Sequence, residues 1–120
     1  PYLTGVVLES LRLLPPVASV IPKVPKTDIQ LNGLKVKKGT QIAISPYACH
    51  RNPAFWKDPL KFDPERKEYD HKDLRFLPFL AGKRSCLGQF FAQMEAKIAI
   101  TKFVLSLDVD CNLNDVDQLQ

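Results

Sequence analysis

The stretch FLPFLAGKRSCLG, residues 76–88, ends where a long amphipathic run begins, and it presents a single cysteine. Cys86 stands two residues after Arg84 and two before Gly88. The run that follows, 89–107, repeats apolar residues at helical spacing: Phe91 or Ala92, Ala96, Ala99, Ile100, Phe103, Val104 and Leu107. Gln93, Lys97 and Lys102 fall largely off that stripe. The spacing predicts a helix over 89–107 that is buried along the stripe and holds Cys86 at its N-terminal end. A sulfur there faces unpaired N–H groups and the positive end of the helix dipole. The Arg84 guanidinium adds to that field, so the thiol ionises more readily. Gly82 and Gly88 are expected to supply backbone conformations and close approaches that a Cβ would block. Without such surroundings a lone cysteine would read as an ordinary buried residue.

The spacing Phe79-x-x-Gly82-x-Arg84-x-Cys86-x-Gly88 resembles the haem-binding signature of the cytochrome P450 family, the haem-thiolate monooxygenases, at every marked position. The resemblance implies that Cys86 is the axial ligand of the iron in haem b. It also implies that Arg84 pairs with a haem propionate and that Phe79 packs beside the sulfur. Thiolate ligation of this kind favours O–O cleavage.

Two upstream segments carry the same resemblance. Leu3, Val6, Val7, Leu11 and Leu14 predict a helix over 2–14 that Pro15-Pro16 stops, with Glu9 and Arg12 on one face. As an exposed i,i+3 pair these two would contribute only ~0.2–0.5 kcal/mol. The segment ESLRLLPP, however, is similar to the family's Glu-x-x-Arg helix. Its pair joins the arginine of a Pro-Glu-Arg segment, here Asp63-Pro64-Glu65-Arg66, in a buried network. Loss of one of Glu9, Arg12 or Arg66 would then leave buried charge unpaired, at ~3–5 kcal/mol. Between them, Phe55-Trp56-x-Asp58-Pro59-x-x-Phe62 resembles the family's proline-rich meander, placed over 51–78. Trp56 and Phe62 are its expected anchors. The chain departs from the pattern with Lys67 where many relatives have Phe. It also has Pro22-Lys23 where many have a propionate-binding arginine, which makes Lys23 the substitute.

The remaining segments follow from local pattern. Residues 27–45 alternate as strands around Asn32-Gly33 and Lys38-Gly39, giving a small sheet whose third strand is 41–45. By resemblance, 17–21 and 42–45 line the substrate pocket beside the haem. Residues 46–50 predict a short helix. His50 and His71 have no partner at any telling spacing and are assigned to the surface. The charged stretch 67–75 reads as an exposed loop, and the acidic tail beyond Leu107 has no pattern.

The net charge of +4 is spread without a basic run of five, so nucleic acid is not an expected partner. The three cysteines, Cys49, Cys86 and Cys111, have no C-x-x-C or Cys/His metal spacing. Their odd number opposes a disulfide framework and fits a reducing compartment or a cytosolic membrane face. No stretch has the ~20 apolar residues that a spanning helix needs.

The expected fold is mainly α with a small β-sheet, the C-terminal part of the cytochrome P450 fold, incomplete at both ends. The loop 79–88 carries the cysteine. The implied partners are a small apolar substrate, dioxygen and an NADPH-dependent reductase, which exposed Lys83 and Lys97 would meet. The implied location is the cytosolic face of the endoplasmic reticulum membrane, through an anchor upstream of Pro1. The family's oxygen-activating helix would also lie upstream, so residues 1–120 alone are expected to show no turnover. The double proline and the segment Gly88-Gln89-x-Phe91-Ala92-Gln93-Met94-Glu95 resemble the family's microsomal animal branch. Gln89-x-Phe91-Ala92-Gln93-Met94-Glu95 is also similar to animal sterol side-chain hydroxylases, which implies a sterol or other lipid substrate. Competing with this is a truncated, non-catalytic haem-binding or interaction protein, against which intact Cys86 and Arg84 argue. A basic docking module without haem leaves the order of the signatures unexplained.

Overall fold

The computed structural model describes residues 1–67, 69 and 74–110. His71, Cys111 and the tail from 111 onward lie outside them. Helix α1 spans Tyr2–Leu13, one residue short of the expected end. Its last turn closes through the Leu14 N–H to the Ser10 carbonyl at 2.8 Å. Leu14 itself is already non-helical at φ −126°, as a residue before proline tends to be. The buried face of α1 carries Val7, Leu8, Glu9, Arg12 and Leu13, so it turns both a charged pair and an apolar row inward.

Strands β1 (Ile29–Leu31) and β2 (Leu34–Val36) pair antiparallel with Ile29 opposite Val36. Asn32 and Gly33 make the turn at φ 45° and 84°, the left-handed pair that matches strand twist. The expected third strand is not formed. Ile42 and Lys23 exchange main-chain hydrogen bonds at 2.8 Å, and Val20 N–H reaches Ile44 O at 2.9 Å. Segment 42–44 therefore lies against 20–23 and not against the hairpin. Pro22 and Pro25 lack the N–H groups that would extend this pairing into a ladder. Helix α2 (Pro46–His50) begins as expected, with the Ser45 hydroxyl accepting the Ala48 N–H and proline at the first helical position.

The core lies between α1 and the meander. Leu8, Trp56 and Phe76 are buried together, with Leu11 and Tyr69 packed against them. Trp56 is the anchor expected of it, and its Nε1–H donates to Cys49 O at 3.1 Å. Phe62 is not an anchor, for its side chain is 47% exposed. Its neighbours Lys61 and Asp63 give their main-chain groups to Arg12 and Glu9.

Helix α3 (Gln89–Ser106) also ends one residue early. The expectation that its apolar stripe is core is corrected, since no residue of α3 is buried. Ala92, Gln93, Ala96 and Ile100 are half-covered, and with Val7, Ser10, Leu11, Pro16 and Phe79 they line a hollow of about 280 Å³ toward α1. Phe103, Val104 and Leu107 are more than half exposed, because nothing among the described residues packs over that end. No helix among the described residues is long and apolar enough to cross a membrane.

Candidate functional site

The cysteine loop leaves the core at Phe76 and folds back on itself before α3. Leu80 N–H bonds to Leu77 O at 3.3 Å, a 3₁₀ turn covers Gly82–Arg84, and Cys86 N–H bonds to Phe79 O at 2.9 Å. This last bond sets Phe79 and Cys86 side by side in the chain's path. Gly82 has φ 79°, so its glycine is required by backbone conformation. Gly88 does not fit that expectation: it caps α3 at φ −81°, and a Cβ there would have only Cys86 Sγ nearby, at 3.9 Å. Cys86 is exposed, three residues before the first residue of α3, whose start receives no side-chain cap. Gln89 N–H bonds back to Cys86 O at 3.4 Å, and the next N–H groups of α3 favour a negative charge at its N-terminus.

Two apolar hollows flank the loop. One, about 540 Å³, is bounded by Val17, Val20, Ile21, Phe79, Arg84 and Cys86 among others. The second, about 580 Å³, lies over the hairpin and is bounded by Lys23, Ile29, Leu31, Ile42, Ile44 and Arg84 among others. Val20, Ile21, Leu77, Leu80 and Arg84 belong to both, so the two form adjoining halves of one apolar recess. Each has the size of a small-molecule pocket, ~300–1,000 Å³. The structure brings Lys23 and Arg84 to the same hollow, although 61 positions separate them in sequence. Val17, Ser19, Val20 and Ile21 border the recess, and from 42–45 Ile42 and Ile44 do so.

The charged network is built as the sequence implied and is more deeply buried than an i,i+3 pair suggests. Glu9 and Arg12 have no exposed surface and pair in fork geometry, Nε to Oε2 at 2.7 Å and Nη2 to Oε1 at 2.8 Å. Arg66 Nε joins at 3.3 Å, and Asp63 N–H donates to Glu9 Oε1 at 3.0 Å. Arg12 also donates to the carbonyls of His50, Pro59 and Lys61, and Arg66 to those of Lys57, Asp58 and Lys61. Both guanidinium groups lie within 6 Å of the Trp56 ring, at 5.3 and 5.9 Å.

The sequence did not single out Tyr69, which is half-buried and whose hydroxyl donates to Glu9 Oε2. Burial alone would raise the Glu9 pKa. The bonds from Arg12, Tyr69 and the Asp63 amide outweigh it and hold the carboxyl below its ordinary value. Burial, then the bond to Glu9, pushes the Tyr69 phenol far above its own. The stretch read as an exposed loop is thus pinned at Tyr69, and again at Arg75, whose Nη1 donates to Phe55 O at 3.3 Å.

His50 corrects its surface assignment outright, having no exposed area. Its Nδ1 lies 3.2 Å from Arg12 O and its Nε2 accepts the Leu77 N–H at 2.8 Å. A carbonyl only accepts and an amide N–H only donates, so Nδ1 carries the proton and the ring is neutral. Desolvation by burial pushes the His50 pKa down to about 4, and the nearby Arg12 and Arg51 charges act in the same direction.

The cytochrome P450 family profile matches residues 1–119. The chain belongs to the cytochrome P450 family. It is 38% identical over 117 residues to rat cytochrome P450 4X1, across 94% of this chain and 23% of the relative. To mouse cytochrome P450 3A13 it is 38% identical over 112 residues, across 90% of this chain and 22% of the relative. Among solved structures, cyanobacterial CYP120A1 with retinoic acid bound superposes with a TM-score of 0.82 at 35% identity. That match covers 90% of this chain and 26% of the cytochrome P450 it is compared with. A zebrafish cytochrome P450 with abiraterone gives 0.72 at 35% identity, covering 85% and 24%. The chain therefore spans about a quarter of the length of its relatives. Its α-rich fold with one small hairpin is that portion of the cytochrome P450 fold.

Proposed function

We propose that this chain is the cysteine-bearing C-terminal portion of one haem domain, in a monooxygenase that hydroxylates an apolar substrate. The observation that carries the reading is the position of Cys86. Its thiol is exposed at the N-terminal end of α3 and borders an apolar recess that Arg84 also borders. The residues fit haem b. Among the described residues no cluster of three His, Cys, Asp or Glu could hold a bare ion, whereas one thiolate suffices for an iron already held by a porphyrin. The recess is apolar, as a porphyrin face requires, and supplies cations at its edge. Haem, when bound, supplies the binding and activation of dioxygen.

The protein's own groups have distinct tasks. Cys86 ligates the iron through its sulfur at the N-terminal end of α3. The bond from Cys86 N–H to Phe79 O fixes the loop, and Phe79 shields the sulfur. Arg84 makes no ion pair among the described residues, which leaves its guanidinium for a propionate; Lys23 is placed for a second. Gly82 leaves open space beside the loop for a flat group to approach, and Gly88 caps α3 next to the sulfur. Glu9, Arg12 and Arg66 act behind the site by stiffening the meander.

The substrate is a small apolar molecule, a sterol or other lipid, which the retinoic-acid-bound relative supports. Electrons come from an NADPH-dependent reductase that meets exposed Lys83 and half-covered Lys97. The parent protein sits on the cytosolic face of the endoplasmic reticulum membrane. The test is the reduced carbon monoxide difference spectrum of the haem-loaded protein carrying this chain, beside its Cys86→Ala variant. A thiolate-type band lost in the variant is the expected result. A thiolate-type band that persists in Cys86→Ala removes the cysteine from its role.

A further inference from the structure

We propose that His50 is a positioning residue for the cysteine loop: its imidazole, clamped between the Arg12 carbonyl and the Leu77 amide, sets where the segment bearing Cys86 leaves the core. The inference rests on Cys86 being the haem ligand, and it adds a residue 36 positions upstream to the machinery that presents it.

The clamp is reciprocal on one side. Arg12 Nη1 donates to His50 O at 2.7 Å, while His50 Nδ1–H reaches back to Arg12 O. The ring is held laterally as well, 5.3 Å from the Phe76 ring and 6.5 Å from Trp56 in edge-to-face contact. It cannot turn without disturbing the core, so its free nitrogen is a fixed acceptor. That acceptor takes the N–H of Leu77, the first residue of the loop outside the buried Phe76.

From Leu77 the restraint passes along the loop. Pro78 has no N–H, so Leu77 is the last donor before the turn. The Leu77 carbonyl then accepts Leu80 N–H, and the Phe79 carbonyl accepts Cys86 N–H. Leu80 stands at φ 61°, a left-handed conformation that is strained for a leucine and persists only where flanking contacts impose it. The His50–Leu77 bond on one side and the Phe79–Cys86 bond on the other are those contacts. A loop freed from His50 keeps its sequence and its cysteine, but loses the anchor that fixes the direction of the turn.

Two amide variants divide the clamp. In His50→Asn the short amide can still donate to Arg12 O but cannot reach Leu77, whereas in His50→Gln the longer side chain offers its oxygen near the Nε2 position. Both lose ring packing and melt earlier. In the haem-loaded protein carrying this chain, haem should leave His50→Asn roughly tenfold faster than His50→Gln. The reduced carbon monoxide spectrum of His50→Asn should also shift toward the protonated-thiol band. Equal haem release and equal spectra in the two variants overturn the proposal. If wild type lacks the thiolate-type band, the haem-ligand reading itself fails and this inference falls with it. Should neither variant fold, the ¹⁵N resonances of wild-type His50 decide: an Nδ1-protonated ring with a slowly exchanging Leu77 amide is expected, and an Nε2-protonated ring refutes the clamp.

Discussion

Gly5, at the end of the first turn of α1, lies against the carbonyl oxygen of Pro64 so closely that a Cβ at position 5 would overlap that main-chain group. The helix and the meander touch backbone to backbone here, one residue before the Glu65-Arg66 segment that feeds the buried network. Glycine inside a helix ordinarily costs ~0.5–1 kcal/mol relative to alanine. Gly5→Ala should nevertheless destabilise, by ~1–3 kcal/mol, because the obstacle is backbone and cannot swing aside. Urea denaturation checks the sign, and a gain in stability would show that the meander yields.

Arg12→Lys keeps the charge but loses the fork that binds Glu9 twice and the donors for three carbonyls. A loss of ~3–5 kcal/mol is expected, the magnitude for breaking a buried pair. Tyr69→Phe removes one donor to the same carboxylate and should cost about 1–3 kcal/mol, with the Glu9 pKa rising. An Arg12→Lys protein melting with wild type would mean that the ammonium satisfies the same carbonyls.

The acid limb of the stability profile should carry the mark of His50. Its pKa falls from 6.5 to about 4 on folding, so between those values the unfolded chain binds the extra proton. Stability is therefore level with respect to His50 above pH 6.5 and declines as pH falls toward 4, by roughly 3 kcal/mol in all. Glu9 acts lower. Its carboxyl is held below 4.5 in the folded state, so its contribution is present above that value and is lost as acid protonates it. In His50→Gln the first decline should vanish and the second remain. An unchanged slope between pH 6.5 and 4 in that variant would assign the decline to another group.

Under the proposed function, which assigns Cys86 to the iron and Arg84 to a propionate, Arg84→Ala should weaken haem retention by ~10–100-fold without moving the thiolate-type band. Lys23→Ala should do less, and the double variant should exceed either. Haem transfer to an acceptor protein measures the rates. Loss of the band in Arg84→Ala would instead tie the guanidinium to the ionisation of Cys86.

Periodic features were legible in the sequence, and features made with main-chain atoms were not. The helices at 2–13 and 89–106 and the Asn32-Gly33 turn follow from spacing and from one dipeptide with a preferred conformation. The joining of Glu9, Arg12 and Arg66 was legible through resemblance, because two short motifs carry it. His50 was misplaced for a physical reason. Its partners are a carbonyl and an amide, which no residue pattern advertises, and Leu77 lies 27 positions away. Tyr69 was hidden among charges, and nothing in the residues around Gly5 signals the approach of Pro64. The third strand failed because alternation at 41–45 says which side chains share a face and not which backbone has donors to offer. The stripe on α3 is visible in the sequence, but what covers it is not.

Arg12 and Arg66 between them hold the carbonyls of residues 50, 57, 58, 59 and 61. Surface coil usually accepts an added or missing residue, because its backbone answers to water. This coil answers to two guanidinium planes at fixed angles, so its length is set as strictly as the register of a strand. One residue inserted between Lys57 and Lys61 would offer each plane the wrong carbonyls, and variation in this segment should run to substitutions and spare its length.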